Sequence, residues 1–222
     1  MEQYSETAGF DLIYVITNCG TGSRVLQLAK RSGISGGAIF FGKGTVSNRV
    51  LKMLALSEVR KEIVLMMAKK SEGSNFLKKL NKEYKLYRPD HGIAYSVPIA
   101  GICGSRTCNF NITDEFGGME NTMYQSLIII VDKGKGEAVV EAAAKAGAKG
   151  ATIINARGSG IHETGKLFAM EIEPEKEIVL MITKSEQTGK IVASIKNNFQ
   201  IDKPGNGIIF VQNVDETYGL VE

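Results

Sequence analysis

The run Glu62-Ile-Val-Leu-Met-Met-Ala-Lys69 returns 115 residues later as Glu177-Ile-Val-Leu-Met-Ile-Thr-Lys184. Pro89–Tyr95 and Pro204–Phe210 are related by the same displacement. Further upstream the displacement is 114, and it places five glycines of one copy on five of the other: Gly20, Gly22, Gly33, Gly36 and Gly44 on Gly134, Gly136, Gly147, Gly150 and Gly158. Glycines in register indicate shared backbone turns, so the chain is predicted to be a tandem repeat.

The hydrophobic pattern of each copy predicts two helices and four strands. In the second copy we expect, in order, strand Leu127–Val131, helix Glu137–Ala146, strand Ala151–Asn155, strand Glu177–Thr183, helix Gln187–Asn198 and strand Ile208–Val211. In the first copy the corresponding segments are Leu12–Thr17, Ser23–Arg31, Ala38–Phe41, Glu62–Ala68, Asn75–Tyr84 and Ile93–Val97. The order β-α-β-β-α-β predicts an α+β protein made of two ferredoxin-like domains.

The repeat also sets the expected domain boundaries. We assign residues 10–100 to the first domain, 101–124 to a linker rich in Gly, Asn and Thr, and 125–222 to the second domain. Each unit covers one face of its sheet with helices and leaves the other face bare. We therefore expect the chain to form an oligomer.

Composition restricts the class of protein. The chain has 222 residues, 43% hydrophobic and 23% charged, with a net charge of only +3, which favours a globular protein that does not bind nucleic acid. The longest aliphatic runs have five residues, as in 127–131, far short of the roughly 20 that a membrane helix needs. Three cysteines without a disulfide framework, and no secretory signal pattern, favour the cytoplasm.

Two glycine-rich segments of the second copy are candidates for binding an anion. Asn155–His162 is predicted to be a loop between two strands, in which Arg157 and Ser159 would supply hydrogen-bond donors. Lys203-Pro-Gly-Asn-Gly-Ile-Ile-Phe-Val211 is predicted to be a turn followed by a strand. No residue forms a convincing nucleophile–base pair, so we identify no catalytic residue and do not expect an enzyme.

The second segment resembles the loop-plus-strand signature of the PII signal-transduction family, in which the loop wraps the phosphates of ATP or ADP. Gly150–Asn155 is similar to the family's second strand, which carries a threonine near the adenine. Arg157-Gly-Ser-Gly160 is similar to the entry of its long T-loop. The resemblance covers residues 125–214 along their length and 12–98 more loosely.

The resemblance implies a regulatory protein that binds ATP, ADP or AMP as an effector. It implies no other cofactor and no metal site. The nucleotide-binding residues would be Thr152, Arg157, Gly158, Ser159, Gly160, Lys203, Gly205, Asn206 and Gly207. Binding would order a short T-loop, Arg157–Lys176, and so control a membrane transporter or an enzyme of nitrogen metabolism. The family forms three-fold rings, which implies a homotrimer.

Two other functions remain open. Ile208 and Ile161 stand where the family has a lysine and an arginine, which favours a ferredoxin-like interaction module that binds no nucleotide. His162 and Glu163 favour a metal-binding trimer similar to the CutA family. In the first copy, Val46 and Asp90 replace Gly160 and Gly205, so any retained ligand site is expected in the second copy.

Overall fold

The computed structural model describes residues 9–45, 58–104, 122–159, 165–167 and 170–220. The first repeat contains four strands and two helices in the predicted order. They are β1 (Phe10–Asn18), α1 (Gly22–Arg31), β2 (Gly37–Thr45), β3 (Glu58–Lys69), α2 (Lys70–Tyr84) and β4 (Ile93–Pro98).

The second repeat has the same series with three additional short strands. Its elements are β5 (Gly101–Cys103), β6 (Tyr124–Asp132), α3 (Gly136–Lys145), β7 (Thr152–Ser159), β8 (Gly165–Leu167), β9 (Met170–Ile172), β10 (Glu175–Lys184), α4 (Ser185–Phe199) and β11 (Ile208–Val214). The predicted α+β class and its β-α-β-β-α-β order are confirmed in both copies, which is consistent with a tandem duplication.

The chain divides into two compact units. Among the described residues, the first unit comprises those from Phe10 to Val97 and from Ala156 to Ser159, and the second unit comprises the others. The predicted linker contributes strand β5 to the second unit, and the end of β7 belongs with the first unit.

The strands of each unit follow one pattern. In the first unit the order is β4-β1-β3-β2, and in the second it is β7-β10-β6-β11-β5. The repeated octapeptides lie in inner strands of the two units: Ile63–Met67 pairs antiparallel with β1, and Ile178–Ile182 pairs antiparallel with β6. These strands are buried on the helix side because their alternate apolar residues face the helices.

Each unit has its own hydrophobic core between its sheet and its two helices. In the first unit Val25 and Leu26 of α1 and Phe76 of α2 lie against β1 and β3. In the second unit Val139 of α3 and Ile191 of α4 occupy the corresponding places. Each helix therefore packs an apolar face against the sheet of its own unit.

Backbone conformation follows the repeat closely. Residues with positive φ occur in five matched pairs: Gly20 and Gly134 (82° and 87°), Gly33 and Gly147 (92° and 107°), Lys85 and Gln200 (53° and 50°), Asp90 and Gly205 (63° and 87°), and Gly92 and Gly207 (120° and 146°). Left-handed conformations are uncommon outside glycine. Their recurrence at Lys85, Gln200 and Asp90 therefore indicates that the repeat preserves these turns rather than only the residues that favour them.

The predicted loop Asn155–His162 is wrong over its first half. Residues as far as Ser159 continue strand β7, because Ala156–Ser159 pairs antiparallel with Gly37–Phe40 of β2. The sequence pattern suggested a loop since two glycines interrupt this segment, whereas the strand tolerates them where another strand approaches closely. Within the described part of the chain, no helix is both long and apolar enough to span a membrane.

Candidate functional site

Arg157, a predicted nucleotide-binding residue, is held by the first unit. Its guanidinium nitrogen Nη2 donates a hydrogen bond of 2.9 Å to Oε1 of Glu62 on β3. The guanidinium also lies 5.5 Å from the ring centre of Phe41, at cation–π distance. The side chain of Arg157 is 26% exposed and that of Glu62 only 2%, so this is a largely desolvated ion pair.

The second carboxylate oxygen of Glu62 caps a helix. Oε2 accepts a 2.6 Å hydrogen bond from the backbone N–H of Gly22, the first residue of α1. Burial alone would raise the pKa of Glu62, but the hydrogen bonds from Arg157 and from the N–H groups of Gly22 and Gly20 outweigh it and lower the pKa. The carboxylate is thus kept ionised between a guanidinium and a helix N-terminus.

The second repeat has the same cap. Oε2 of Glu177 accepts a 2.7 Å hydrogen bond from the backbone N–H of Gly136, where α3 begins. A neighbouring pair also repeats: Lys61 Nζ donates to Asn18 Oδ1 at 2.6 Å, and Lys176 Nζ donates to Asp132 Oδ1 at 2.7 Å. These residues were absent from the predicted site. The sequence did contain a signal for them, because Glu62 and Glu177 both begin the repeated octapeptide. A carboxylate at the start of a buried apolar strand needs a hydrogen-bond or charge partner.

Gly158 has a structural reason to be glycine. A Cβ at this position would collide with the carbonyl oxygen of Gly37 and lie 2.9 Å from Cα of Ala38. The residue is buried where β7 meets β2. The absence of a side chain therefore allows β7 and β2 to approach each other. This role differs from the nucleotide contact that the sequence predicted for Gly158.

Two other predicted residues lie at the two ends of β7. Thr152 lies at the start of the strand, is exposed and belongs to the second unit. Ser159 is the last residue of the strand, and Gly160 lies outside the described residues. His162 and Glu163, considered above for a metal, also lie outside them. Across the described residues there is no group of three or more His, Cys, Asp or Glu side chains that could hold a metal ion.

The turn Lys203–Gly207 joins α4 to β11, as the sequence predicted. The N–H of Lys203 donates to the carbonyl of Gln200, and the N–H of Asn206 donates to the carbonyl of Lys203. Gly205 has φ 87° and open space around it, whereas Gly207 has φ 146° and lies against the carbonyl oxygen of Ile130. The turn is thus folded by its own hydrogen bonds, with Lys203 exposed at its start.

Asn206 uses its side chain within the turn. Nδ2 donates hydrogen bonds of 3.1 Å to the carbonyls of Phe199 and Gln200, at the C-terminus of α4. The amide therefore satisfies helix carbonyls that have no partner within the helix. In the first repeat His91 replaces it, and its Nδ1 lies 2.9 Å from the carbonyl of Tyr84 at the end of α2. Both side chains hold the same turn against its helix.

The predicted T-loop, Arg157–Lys176, is anchored at both ends. Arg157 pairs with Glu62, and Lys176 is a buried residue that pairs with Asp132. Burial alone would raise the pKa of Asp132, but the hydrogen bonds from Lys135 and Lys176 lower it. Between these anchors, Gly165–Leu167 pairs antiparallel with Met170–Ile172. Residues 160–164 and 168–169 lie outside the described residues.

The structure thus separates the predicted residues into two groups. Thr152 and the turn Lys203–Gly207 belong to the second unit, while Arg157, Gly158 and Ser159 belong to the first. Within the turn, the residues predicted from sequence are brought together by consecutive hydrogen bonds. A role for any of the nine residues in binding a nucleotide stays a prediction.

Comparison with known proteins gives a family match in the second half of the chain. Residues 124–220 match the family model described as nitrogen regulatory protein P-II. No curated protein matches the chain significantly.

Among solved structures, the chain is similar to CPII, a nitrogen regulatory PII-like protein from Thiomonas intermedia K12 solved with ADP, AMP and bicarbonate. The identity is 19% over 44% of this chain and 96% of that one, with a TM-score of 0.35. The chain is also similar to the ligand-free regulatory subunit of aspartate kinase from Thermus thermophilus, with 14% identity over 86% of this chain and 93% of that one and a TM-score of 0.37.

Proposed function

We propose that the protein is a PII-like regulator whose second unit binds an adenine nucleotide, because residues 124–220 match the nitrogen regulatory protein P-II family model. The effector would be ATP, ADP or AMP. The observation that carries this proposal is the turn Lys203–Gly207, which has two positive-φ glycines and an exposed lysine and lies within the matched residues.

The turn would bind the phosphates. Its backbone is already folded by the Lys203–Gln200 and Asn206–Lys203 hydrogen bonds, so little conformational entropy would be lost on binding. Lys203 would contribute the positive charge, since Ile208 has replaced the lysine that the resemblance predicts later in this segment. Thr152, exposed and in the same unit, would lie near the adenine, as the resemblance implies.

Arg157 would act differently from a simple phosphate ligand. Its guanidinium is paired with Glu62, and a phosphate would have to compete with that carboxylate for it. We infer that Arg157 anchors the start of the T-loop, with Lys176 anchoring its end through Asp132. Ordering of the segment between these anchors would then alter the surface presented to a partner.

The partner would be a membrane transporter or an enzyme of nitrogen metabolism, and the assembly would be a cytoplasmic homotrimer. The partner and the trimer rest on the family relationship alone, and the cytoplasmic location rests on the cysteine content. The regulator would have no catalytic activity of its own.

Calorimetry with the full chain tests the proposal. ATP, ADP and AMP are titrated separately, and the tightest of them is repeated with Lys203→Ala. The matched control is Lys190→Ala, which removes an exposed lysine from α4 outside the turn. We expect saturable binding that Lys203→Ala weakens about threefold to tenfold and Lys190→Ala leaves unchanged. If none of the three nucleotides binds at millimolar concentration, the proposal is wrong.

A second function is supported by the same residues. Arg157 and the Asn206 amide are already paired within the chain, and Ile208 offers no charge. These features favour an interaction module that recognises a protein without a nucleotide. Calorimetry separates the two candidates, because only the regulator requires a nucleotide signal that depends on Lys203.

A further inference from the structure

The two repeats differ at one edge of their sheets. In the second unit, Gly101–Cys103 of β5 pairs antiparallel with the outer edge of β11, opposite Ile209–Val211. In the first unit, β4 is the equivalent strand and ends the sheet, with no strand on its outer side in the described part of the chain. An open edge presents unpaired backbone N–H and C=O groups.

The second repeat shows how this edge is filled. Ile102 and Cys103 are buried, and Cys103 belongs to the core beside Ile209. Gly104 lies close to Ile201, so that a Cβ there would be 2.8 Å from the isoleucine Cγ2. Burial raises the pKa of Cys103 to about 11, as expected for a thiol used for packing. A short extended segment of small apolar residues therefore completes this unit.

The first repeat has a groove at the equivalent place. It has a volume of about 680 Å³ and lies between α2 and β4. Three residues of its wall are the repeat equivalents of residues that hold β5 in the second unit. Leu86 and Gly92 correspond to Ile201 and Gly207, which contact Gly104, and Ala94 corresponds to Ile209, which pairs with Cys103. Leu77 and Asn81, the equivalents of Val192 and Lys196, also line the groove.

The groove carries features that point to a polar, extended occupant. Oδ1 of Asp11 is shielded from solvent and has no hydrogen-bond partner, and Asp11 lines the groove. Such a carboxylate oxygen favours a backbone N–H donor supplied by an extended occupant. Lys70 and Lys78 stand exposed on the wall formed by α2, and neither makes a hydrogen bond or ion pair with the described residues. Ile93, at the start of β4, is 62% exposed.

We propose that β4 and this groove bind an extended segment of a partner polypeptide. The segment adds antiparallel to β4, places a small side chain where Cys103 lies in the second repeat, and carries acidic residues at its N-terminal end. That end falls near Lys70, because β4 runs from the C-terminal end of α2 back toward its start. Backbone hydrogen bonds supply the affinity, and the groove and the lysines supply the specificity.

A designed peptide tests this docking site. Its sequence is that of residues 98–104 with serine in place of the cysteine, preceded by two aspartates and blocked at both ends. The full chain is titrated with the peptide while backbone amide chemical shifts are followed by NMR. We expect saturable shifts confined to β4, α2 and the turn before β4, with the corresponding residues of the second unit unaffected.

Three variants locate the peptide. Ser74→Trp, at an exposed position on the groove wall, should abolish binding by filling the groove. The double variant Lys70→Glu and Lys78→Glu should weaken binding about fivefold or more. The double variant Lys79→Glu and Lys82→Glu makes the same charge change on α2 outside the groove and is the control, with unchanged affinity expected.

Three outcomes would overturn the proposal. One is no saturable shift at millimolar peptide, and another is an equal loss of affinity in both charge-reversal pairs. The third is protection of the β4 amides in the free chain that increases with protein concentration, because a second copy of the chain would then occupy the edge. None of these outcomes bears on nucleotide binding, which concerns a different unit.

Discussion

Arg157 and Glu62, 95 residues apart in the chain, form a largely buried ion pair with Nη2 and Oε1 separated by 2.9 Å. The pair fastens the end of β7 to β3, and Glu62 also holds the first N–H of α1. A residue that resembles a ligand contact in the sequence is therefore also part of the framework of the first unit.

Removing the guanidinium should destabilise the protein. Arg157→Ala leaves the carboxylate of Glu62 buried without its charge partner, and we expect a loss of about 2 kcal/mol or more in the free energy of unfolding. Urea denaturation followed by circular dichroism measures the loss. In a double-mutant cycle, Glu62→Gln should suppress most of the effect of Arg157→Ala. Additive losses would show that the pair is not coupled.

Glu62 should make stability depend on pH. Its pKa is lowered in the folded protein, and the unfolded value is near the ordinary glutamate value of about 4.3. The stabilisation is therefore fully present above the unfolded pKa and is lost as pH falls through the lowered folded pKa. Unfolding measured from neutral pH into the acid range should show this loss, and Glu62→Gln should flatten the profile. An unchanged slope in the variant would contradict the assignment.

Gly158 should be intolerant of a side chain. The β-carbon of Gly158→Ala would meet the carbonyl oxygen of Gly37, where β7 pairs with β2. We expect a cost of about 2–3 kcal/mol in stability. Gly150→Ala is the matched control, since nothing lies within 4 Å of a Cβ there and φ is not positive. Equal stability of the two variants, measured by thermal unfolding, would disprove the steric argument.

Asn206 should contribute to stability through its side chain. Asn206→Ala removes two hydrogen bonds to the carbonyls at the end of α4, at an expected cost of about 1 kcal/mol. Asn198→Ala removes one exposed amide hydrogen bond, to Ser194, and should cost less. Chemical denaturation of both variants checks the order. A larger loss for Asn198→Ala would argue against the capping role.

Much of the fold could be predicted from the sequence because the same hydrophobic pattern occurs in both copies of the repeat. Gly33 and Gly147 marked the ends of equivalent helices, and both have positive φ. The octapeptides at Glu62 and Glu177 marked the strands that pair with β1 and β6. Periodicity and turn residues are local signals, and these elements are determined locally.

The features that were missed depend on contacts distant in sequence. Residues 157–159 extend β7 because β2 is available to pair with them, and nothing within that segment indicates the partner. The three-residue strand β5 pairs with β11, a partner that the segment itself does not indicate. At the candidate site, the turn Lys203–Gly207 was predicted from its glycines, whereas the pairing of Arg157 with Glu62 was not.

The most direct test of nucleotide binding is an NMR titration of the full chain with ADP that follows the backbone amides of Gly205 and Gly207. We expect saturable shifts of these amides and of Thr152, while the equivalent first-repeat turn, which contains Asp90 and Gly92, stays unchanged. Lys203→Ala should shift the midpoint to higher ADP concentration. Absence of any shift in the turn at millimolar ADP, or shifts confined to the first-repeat turn, would contradict the account.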